Sequence, residues 1–404
     1  MSTASKVNMM STMRAPRQAG FSLVELMVSV VIGLLALSFA TRMVGQSEKN
    51  KQNSLGGSDA MQNGMVAMFS ISSDSAEAGW GLNDPILAGC DTNFSDSAGY
   101  ALSEASRGGA TIHPLAAAII VDNGAAPDQI TLYAGSALSG TGSLRLVADF
   151  AGGTRIDVDR IPYGFAQDDV IVVAPETVGA AKCGLAQISN DPAAVPGPPQ
   201  PQYLEINSGG RRFNGAGLGA TYKASQARLF NLGPARQLQF HTWSVDSGFL
   251  RLRSTNLSGA SAAPATVVDN IVSIKAQYGF DTRPGNSFTP GVAAQVGTWS
   301  ASMIDADGDG VAGGAGDFQH VVALRLAVVA RGKAPERPAP GASCSATTAK
   351  PVLFASSVPQ GVAGVPVTVD VGVAGDSVDW RCYRYRVFET IVPLRNAAWR
   401  PTAL

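Results

Sequence analysis

Arg17-Gln-Ala-Gly20-Phe21-Ser-Leu-Val-Glu25-Leu-Met27 opens an apolar run, Phe21 to Thr41 (FSLVELMVSVVIGLLALSFAT), in which Glu25 is the single charge. As a helix rising about 1.5 Å per residue, this run spans about 32 Å, enough to cross a hydrocarbon core of roughly 30 Å. Lys6, Arg14 and Arg17 precede it and no acidic residue does, which places the leader in the cytoplasm and the remainder of the chain outside. A carboxylate within a membrane span costs about 2.5 to 3.5 kcal/mol at mid-membrane and less near the edge, so Glu25 needs a reason to be there. A secretory signal cut after Ser38-Phe39-Ala40, leaving Thr41 first, gives none, and its leader would be unusually long. A plain uncleaved anchor gives none either.

Working outward, no proline lies between Pro16 and Pro85 although the chain has 23, which is what a long helix requires, because interior proline costs about 3 kcal/mol. Met61, Met65, Met68 and Phe69 recur at helical spacing and are expected to pack the outer half of that helix on a globular domain. Gly56-Gly57 and Gly64 weaken it by about 1 kcal/mol each relative to alanine, so a bend or local melting is expected near Gly56. Gly79 and Gly81, around Trp80, supply the stop.

Beyond residue 80 the texture changes to short β-type runs divided by Gly, Pro, Asn and Asp. Candidate strands are Ala118 to Val121, Ile130 to Tyr133, Val170 to Val173, Tyr203 to Ile206, Leu238 to Val245, Phe249 to Leu252, Ile271 to Phe280, Val321 to Val329, Val365 to Val371 and Tyr383 to Val392. The expected fold is therefore α+β, a long amino-terminal helix on a large β-rich domain. Residues 1–20 form a leader, 21–79 the helix with its membrane segment at 21–41, and 80–404 the β-rich domain.

Composition narrows the function. Hydrophobic residues make up 45% and charged residues 15%, against roughly 25% charged in an average soluble domain, which excludes global disorder. A net charge of −1 gives no bulk field for nucleic acid, and none is predicted as a partner. Cys90, Cys183, Cys344 and Cys382 form no C-x-x-C pair, so neither a zinc knuckle nor a thioredoxin-type redox pair is encoded. Outside the cytoplasm they suit two disulfides, and of the three possible pairings local proximity favours Cys90 with Cys183 and Cys344 with Cys382. No G-x-S-x-G, H-E-x-x-H or phosphate-binding loop occurs, and His113 and His241 each stand alone in the sequence. No catalytic residue is assigned, and the chain reads as a non-enzyme.

One acidic segment could carry chemistry. Asp305-Ala-Asp307-Gly-Asp309-Gly310 sets carboxylates at alternate positions and a glycine at the sixth, as in the first half of a calcium loop. The twelfth position is Gly316, where a bidentate glutamate would stand, and Asp317 follows. The flanks, Trp299 to Ile304 and Phe318 to Val329, read as strands. Asp305, Asp307 and Asp309 are the expected side-chain ligands of a possible Ca²⁺, with Asp317 a weaker candidate. A solvated Asp/Gly turn is the alternative.

The segment around Gly20, Phe21 and Glu25 resembles the class III signal of type IV pilins and of type II secretion pseudopilins. That resemblance implies cleavage after Gly20 by a membrane-embedded prepilin peptidase, methylation of the new Phe21 terminus, and pairing of Glu25 with the terminal amine of a neighbouring subunit. The pairing is sound chemistry, since an amine and a carboxylate brought together between helices offset one another's burial and fix axial register. The closing stretch Tyr383-Arg-Tyr-Arg-Val-Phe-Glu-Thr-Ile-Val-Pro-Leu-Arg-Asn396 resembles that of the PilW group of large minor pilins, as do Gln62-Asn63-Gly64 and the acidic loop before Val321 to Arg331. The resemblance implies a pilin-like fold and a priming role in type IV pilus assembly at or near the tip. Implied partners are other minor pilins, the major pilin, a large tip protein and, before assembly, inner-membrane lipid. The implied location is the inner membrane with a periplasmic carboxyl-terminal domain, and then the extracellular pilus. The alternatives are a large minor pseudopilin of a type II secretion system and a tip adhesin or surface-sensing subunit.

Overall fold

The structure is a computed structural model that describes residues 22–137, 142–192, 201–285, 288–289, 292–338 and 341–398. Helix α1, Leu23–Glu77, has 55 residues. Gly56 and Gly57 fall within the helix, and the chain divides into two compact units between Leu55 and Gly56. Within the first unit, Leu23–Ser47 is long and apolar enough to cross a membrane, and none of it is buried by the chain.

In the second unit, the buried face of α1 is built from small residues. Ala60, Ala67, Ile71 and Ala78 are at most 1% exposed, and Ser75 is fully buried, a 3/4 spacing that keeps one face inward. The expected methionine face is corrected by this arrangement: Met61, Met65 and Phe69 are 48%, 56% and 73% exposed, and only Met68 of that set packs against the core. Alanine and glycine let the helix axis approach the sheets closely, which large side chains would prevent. The helix stops where Gly79 (φ 85°) and Gly81 (φ 75°) turn the chain, and the Gly79 N–H donates to Tyr133 O at 2.8 Å.

The rest is β-rich. A six-stranded sheet runs Pro114–Leu115, Cys90–Asn93, Cys183–Gln187, Asp169–Pro175, Ala227–Pro234, Ser143–Arg145. A five-stranded antiparallel sheet runs Ala265–Asp269, Phe249–Ser254, Gln239–Asp246, Gln129–Ala134, Ala118–Val121. A four-stranded antiparallel sheet runs Thr298–Ser300, Ile271–Phe280, Val321–Arg331, Tyr385–Pro393. Ile271–Phe280 is buried along its whole length, as is nearly all of Val321–Arg331, which is why both read as near-continuous apolar runs. One face of this sheet joins α1 and the five-stranded sheet in a common core. The other is covered by Leu353, Phe354, Val369 and Val371. The expected strand at Val365 to Val371 shrinks to Val367–Thr368, and Phe318 lies in a one-turn helix α2, Ala315–Gln319, so the strand after it begins at Val321. The disulfides join Cys90 to Cys183 and Cys344 to Cys382.

Candidate functional site

Gly20 and Phe21 lie outside the described residues. Glu25 stands in the first turn of α1 with its side chain exposed among Leu26, Met27 and Val28, themselves 52–59% exposed. Exposed apolar surface of this extent is of the kind that lipid or other helices cover.

In the second unit the closing stretch and the helix meet residue by residue. Asn63 Nδ2 donates to Asp269 O at 3.2 Å and to its Oδ1 at 2.8 Å. Gly64 lies beneath the Phe388 ring so closely that a Cβ there would be 2.0 Å from Cε2. Glu389 turns to the opposite face of its strand, where it accepts from Arg325 Nη2 at 3.1 Å and from Phe354 N at 2.8 Å. Asn396 Nδ2 donates to Ala76 O at 3.2 Å and Glu77 O at 3.0 Å, adding to the long bond that Trp80 N gives Glu77 O at 3.4 Å where the helix ends. The terminal pattern that reads as a signature is, physically, the clamp on α1.

A second clamp was not visible in the sequence. Asp74 Oδ2, in the last turn of α1, is 2.8 Å from His241 Nδ1 and accepts from Trp243 Nε1 at 2.9 Å. The other ring nitrogen of His241 faces Asn256 Oδ1 at 2.9 Å, and Ser254 Oγ, 2.6 Å away, also donates to that oxygen. Asp74 and Asn256 oxygens at the two ring nitrogens favour the imidazolium form of His241. Burial alone would lower its pKa, but Asp74 and Asn256 outweigh burial and raise it above the ordinary value. His241, solitary in sequence, is thus paired across 167 positions. The only sequence signal was the alternation that puts His241 and Trp243 on one face of a strand.

The acidic loop is brought together in part. Carboxylate oxygens of Asp305, Asp307 and Asp317 lie within 4.8 Å of one another. Asp309 does not join them and accepts instead from Val311 N at 2.7 Å. Asp317, the weaker candidate in sequence, is fully buried and central. Its Oδ1 accepts from Ala306 N at 2.5 Å and Asp307 N at 3.2 Å, and its Oδ2 from Gly314 N at 2.9 Å at the start of α2. Both oxygens of Asp305 accept from Gly308 and Gly310 N–H groups at 2.9 Å. Burial, then the charges of Asp317, Asp309 and Asp305, raise the Asp307 pKa. A Cβ at residue 316 would fall 1.7 Å from Asp307 Oδ2, so any larger residue there displaces that carboxylate. The set offers hard oxygens with excess negative charge, which fits calcium by chemistry; Asp305, Asp307 and Asp317 are the residues that would hold it.

An apolar helix long enough to cross a membrane, followed by a large β-rich domain, is consistent with an α+β pilin-like architecture. Residues 15–41 match the Prokaryotic N-terminal methylation motif. More narrowly, residues 242–396 match the family described as Type IV Pilus-assembly protein W, so the two ends of the chain together match a PilW-type minor pilin. That second match takes in the four-stranded sheet, the acidic loop and the clamp strand. The six-stranded sheet, between residues 90 and 234, lies outside both matches. No curated protein and no solved structure matches the chain. The family is one of structural and assembly pilins rather than an enzyme class, and pilin membership implies processing by prepilin peptidase and contact with other pilus components.

Proposed function

We propose that this chain is a minor pilin that helps prime type IV pilus assembly and sits at or near the tip, with Gly20 as the cleavage residue, Phe21 as the methylated terminus and Glu25 as the carboxylate that meets a neighbouring subunit's amine. The observation that carries the reading is an exposed apolar helix with one carboxylate near its start, continuing into a segment clamped to a large β-rich domain. Repeated shaft subunits must pack closely around the helix bundle, and a head of this size suits an end position better. Other minor pilins, the major pilin and a large tip protein are the partners this role requires. Deletion of the gene should abolish surface pili and twitching; loss of exoprotein secretion with pili intact would instead assign the chain to a type II secretion pseudopilus. The mature protein recovered from membranes should begin at N-methylated Phe21, and a start at Thr41 would overturn the reading. The acidic loop serves, on this reading, as a calcium-ordered turn within the head. Calorimetry should show heat with Ca²⁺ for the wild type and none for Asp307→Ala, and no heat in either would remove calcium from the account.

A further inference from the structure

A buried cluster away from these features is arranged for covalent chemistry. Lys275, in Ile271–Phe280, is 1% exposed, and its Nζ reaches the loop 122–128 that joins Ala118–Val121 to Gln129–Ala134. There it is in direct contact with Oδ1 of Asp128, whose side chain is fully buried. Asp122 Oδ1 lies 2.9 Å from Nζ on the solvent side, its side chain 36% exposed. Gly124 O at 2.8 Å and Ala126 O at 3.4 Å also lie around Nζ, so four oxygens share three N–H groups, and once Asp122 has taken a proton, rotation about Cε–Nζ turns the freed lone pair to Asp128. The Asp128 carboxyl is itself polarised, because Oδ2 accepts from Ala276 N at 3.0 Å and Oδ1 from Asn123 N at 3.1 Å.

We propose that Lys275 and Asp128 become joined by an amide bond between Nζ and Cγ, with Asp122 as the proton carrier. The balance closes within the site. The ammonium passes one proton to the Asp122 carboxylate, and the neutral amine attacks Cγ of the protonated Asp128 carboxyl. Oδ2 becomes the tetrahedral oxyanion and is held by the Ala276 N–H, as a backbone donor does in acyl transfer, while Oδ1, beside Nζ and Asp122, carries the hydroxyl that leaves. The C–OH bond breaks, and the hydroxyl takes the proton from Asp122 and leaves as water. The second nitrogen proton then settles on Asp122. Ammonium, carboxyl and carboxylate become amide, water and carboxyl, with no change of net charge and no oxidant. Burial pushes the Asp128 carboxyl up to about 6, which supplies the protonated electrophile. Burial acts most strongly against charge at Asp122 too, but the hydrogen bond and charge of Lys275 together with the Gly124 N–H and Asp128 outweigh it and hold that carboxyl below the usual range, which supplies the base. Fixed contact of this kind replaces a bimolecular encounter, an advantage reaching effective molarities of about 10⁵ to 10⁸ M in well-oriented systems. Water excluded from Asp128 also protects the product from hydrolysis, and the bond would tie the five-stranded sheet to the four-stranded sheet.

The test is peptide mass spectrometry on the full chain recovered from membranes, reduced, alkylated and digested with trypsin. The expected result is a branched species joining the peptides that contain residues 128 and 275, lighter than their sum by one water and uncut after Lys275. Asp122→Asn and Lys275→Arg should each abolish that species while circular dichroism and both disulfides remain as in the wild type. Normal cleavage after Lys275 in the wild type, with both peptides at full mass, overturns the proposal. An intact cross-link in Asp122→Asn overturns the role given to Asp122.

Discussion

Replacing Gly64 with alanine tests whether the closing strand fixes α1 through close approach. Taken alone, the substitution favours the helix by about 1 kcal/mol. Here the added methyl would lie 2.0, 2.6 and 2.7 Å from Cε2, Cδ2 and Cζ of Phe388, so an entire ring edge must move. Phe388 cannot simply swing away, since its strand is held to Val321–Arg331 by an unbroken register from Ala323↔Pro393 to Arg331↔Tyr385. Overpacking of this sort costs about 1–3 kcal/mol, so the net effect is a loss of about 0–2 kcal/mol. In a Phe388→Ala background the obstruction is gone and the same change should stabilise by about 1 kcal/mol. The sign reversal, a coupling of about 1–3 kcal/mol, is the signature. Thermal unfolding of the full chain in detergent, followed by circular dichroism, reads it as midpoint shifts of about 2 °C per kcal/mol for a domain of this size. Equal stabilisation in both backgrounds would refute the idea that Gly64 exists to admit Phe388.

The His241 clamp makes stability depend on pH. Because its folded pKa is raised, its contribution is fully present below the unfolded value of about 6.5 and is lost as pH rises through the folded value; the unfolding midpoint should fall above about pH 6.5, and Asp74→Asn should flatten that slope. The two disulfides close separations of 93 and 38 residues, worth about 4.7 and 3.9 kcal/mol by loop entropy. The Cys90/Cys183 double serine variant should therefore melt lower than the Cys344/Cys382 one, and the reverse order would contradict the entropic account. Asn396→Ala exposes the Ala76 and Glu77 carbonyls and should cost about 1 kcal/mol in urea unfolding, with no loss if water replaces the amide equally well. Gly316→Ala should expel the Asp307 carboxylate and abolish calcium heat while leaving the melting midpoint within about 2 °C of wild type.

The long helix and about half of the strands among the described residues were legible because their signals are local: absent proline, an apolar run, alternation between turn residues; of the six-stranded sheet only Asp169–Pro175 was read. Misreadings arose where large side chains were assumed to mark the buried face. On α1 the packing rule inverted, since Ala60, Gly64, Ala67 and Ser75 read as weak or neutral in any apolar pattern while Met61 and Phe69 read as core. The acidic loop was legible as a cluster but not in its membership. Asp309 holds the Asx-type contact to Val311 that the turn demands, and Asp317 reaches the cluster through α2, a one-turn helix with no sequence periodicity to announce it. The place where a twelfth-position glutamate would stand is Gly316, and the carboxylate of Asp307 fills the space beside it. Asp74 with His241 and Trp243, and Lys275 with Asp128, were beyond reach because each joins residues more than 140 positions apart.

The choice of small residues on the buried face of α1 has an energetic consequence that explains the polar clamps. Alanine and glycine bury little area, and at about 25 cal/mol per Å² they contribute little hydrophobic stabilisation. Ile71 is the one fully buried large side chain of that face among the described residues. The helix must therefore be held by what the close approach permits: dispersion against the sheets, the Phe388 ring over Gly64, and the polar contacts of Asn63, Asp74 and Asn396. Those contacts are spaced from the middle to the end of the clamped segment, so they fix its rotation as well as its position. Rotation matters because it decides which side chains face outward, and in this setting they are Met61, Met65, Val66 and Phe69. A helix held by a bulky apolar face would have spent those residues on its own domain. Holding it through small and polar residues leaves the large apolar ones outside, which is the arrangement a subunit needs if other helices are to pack against it.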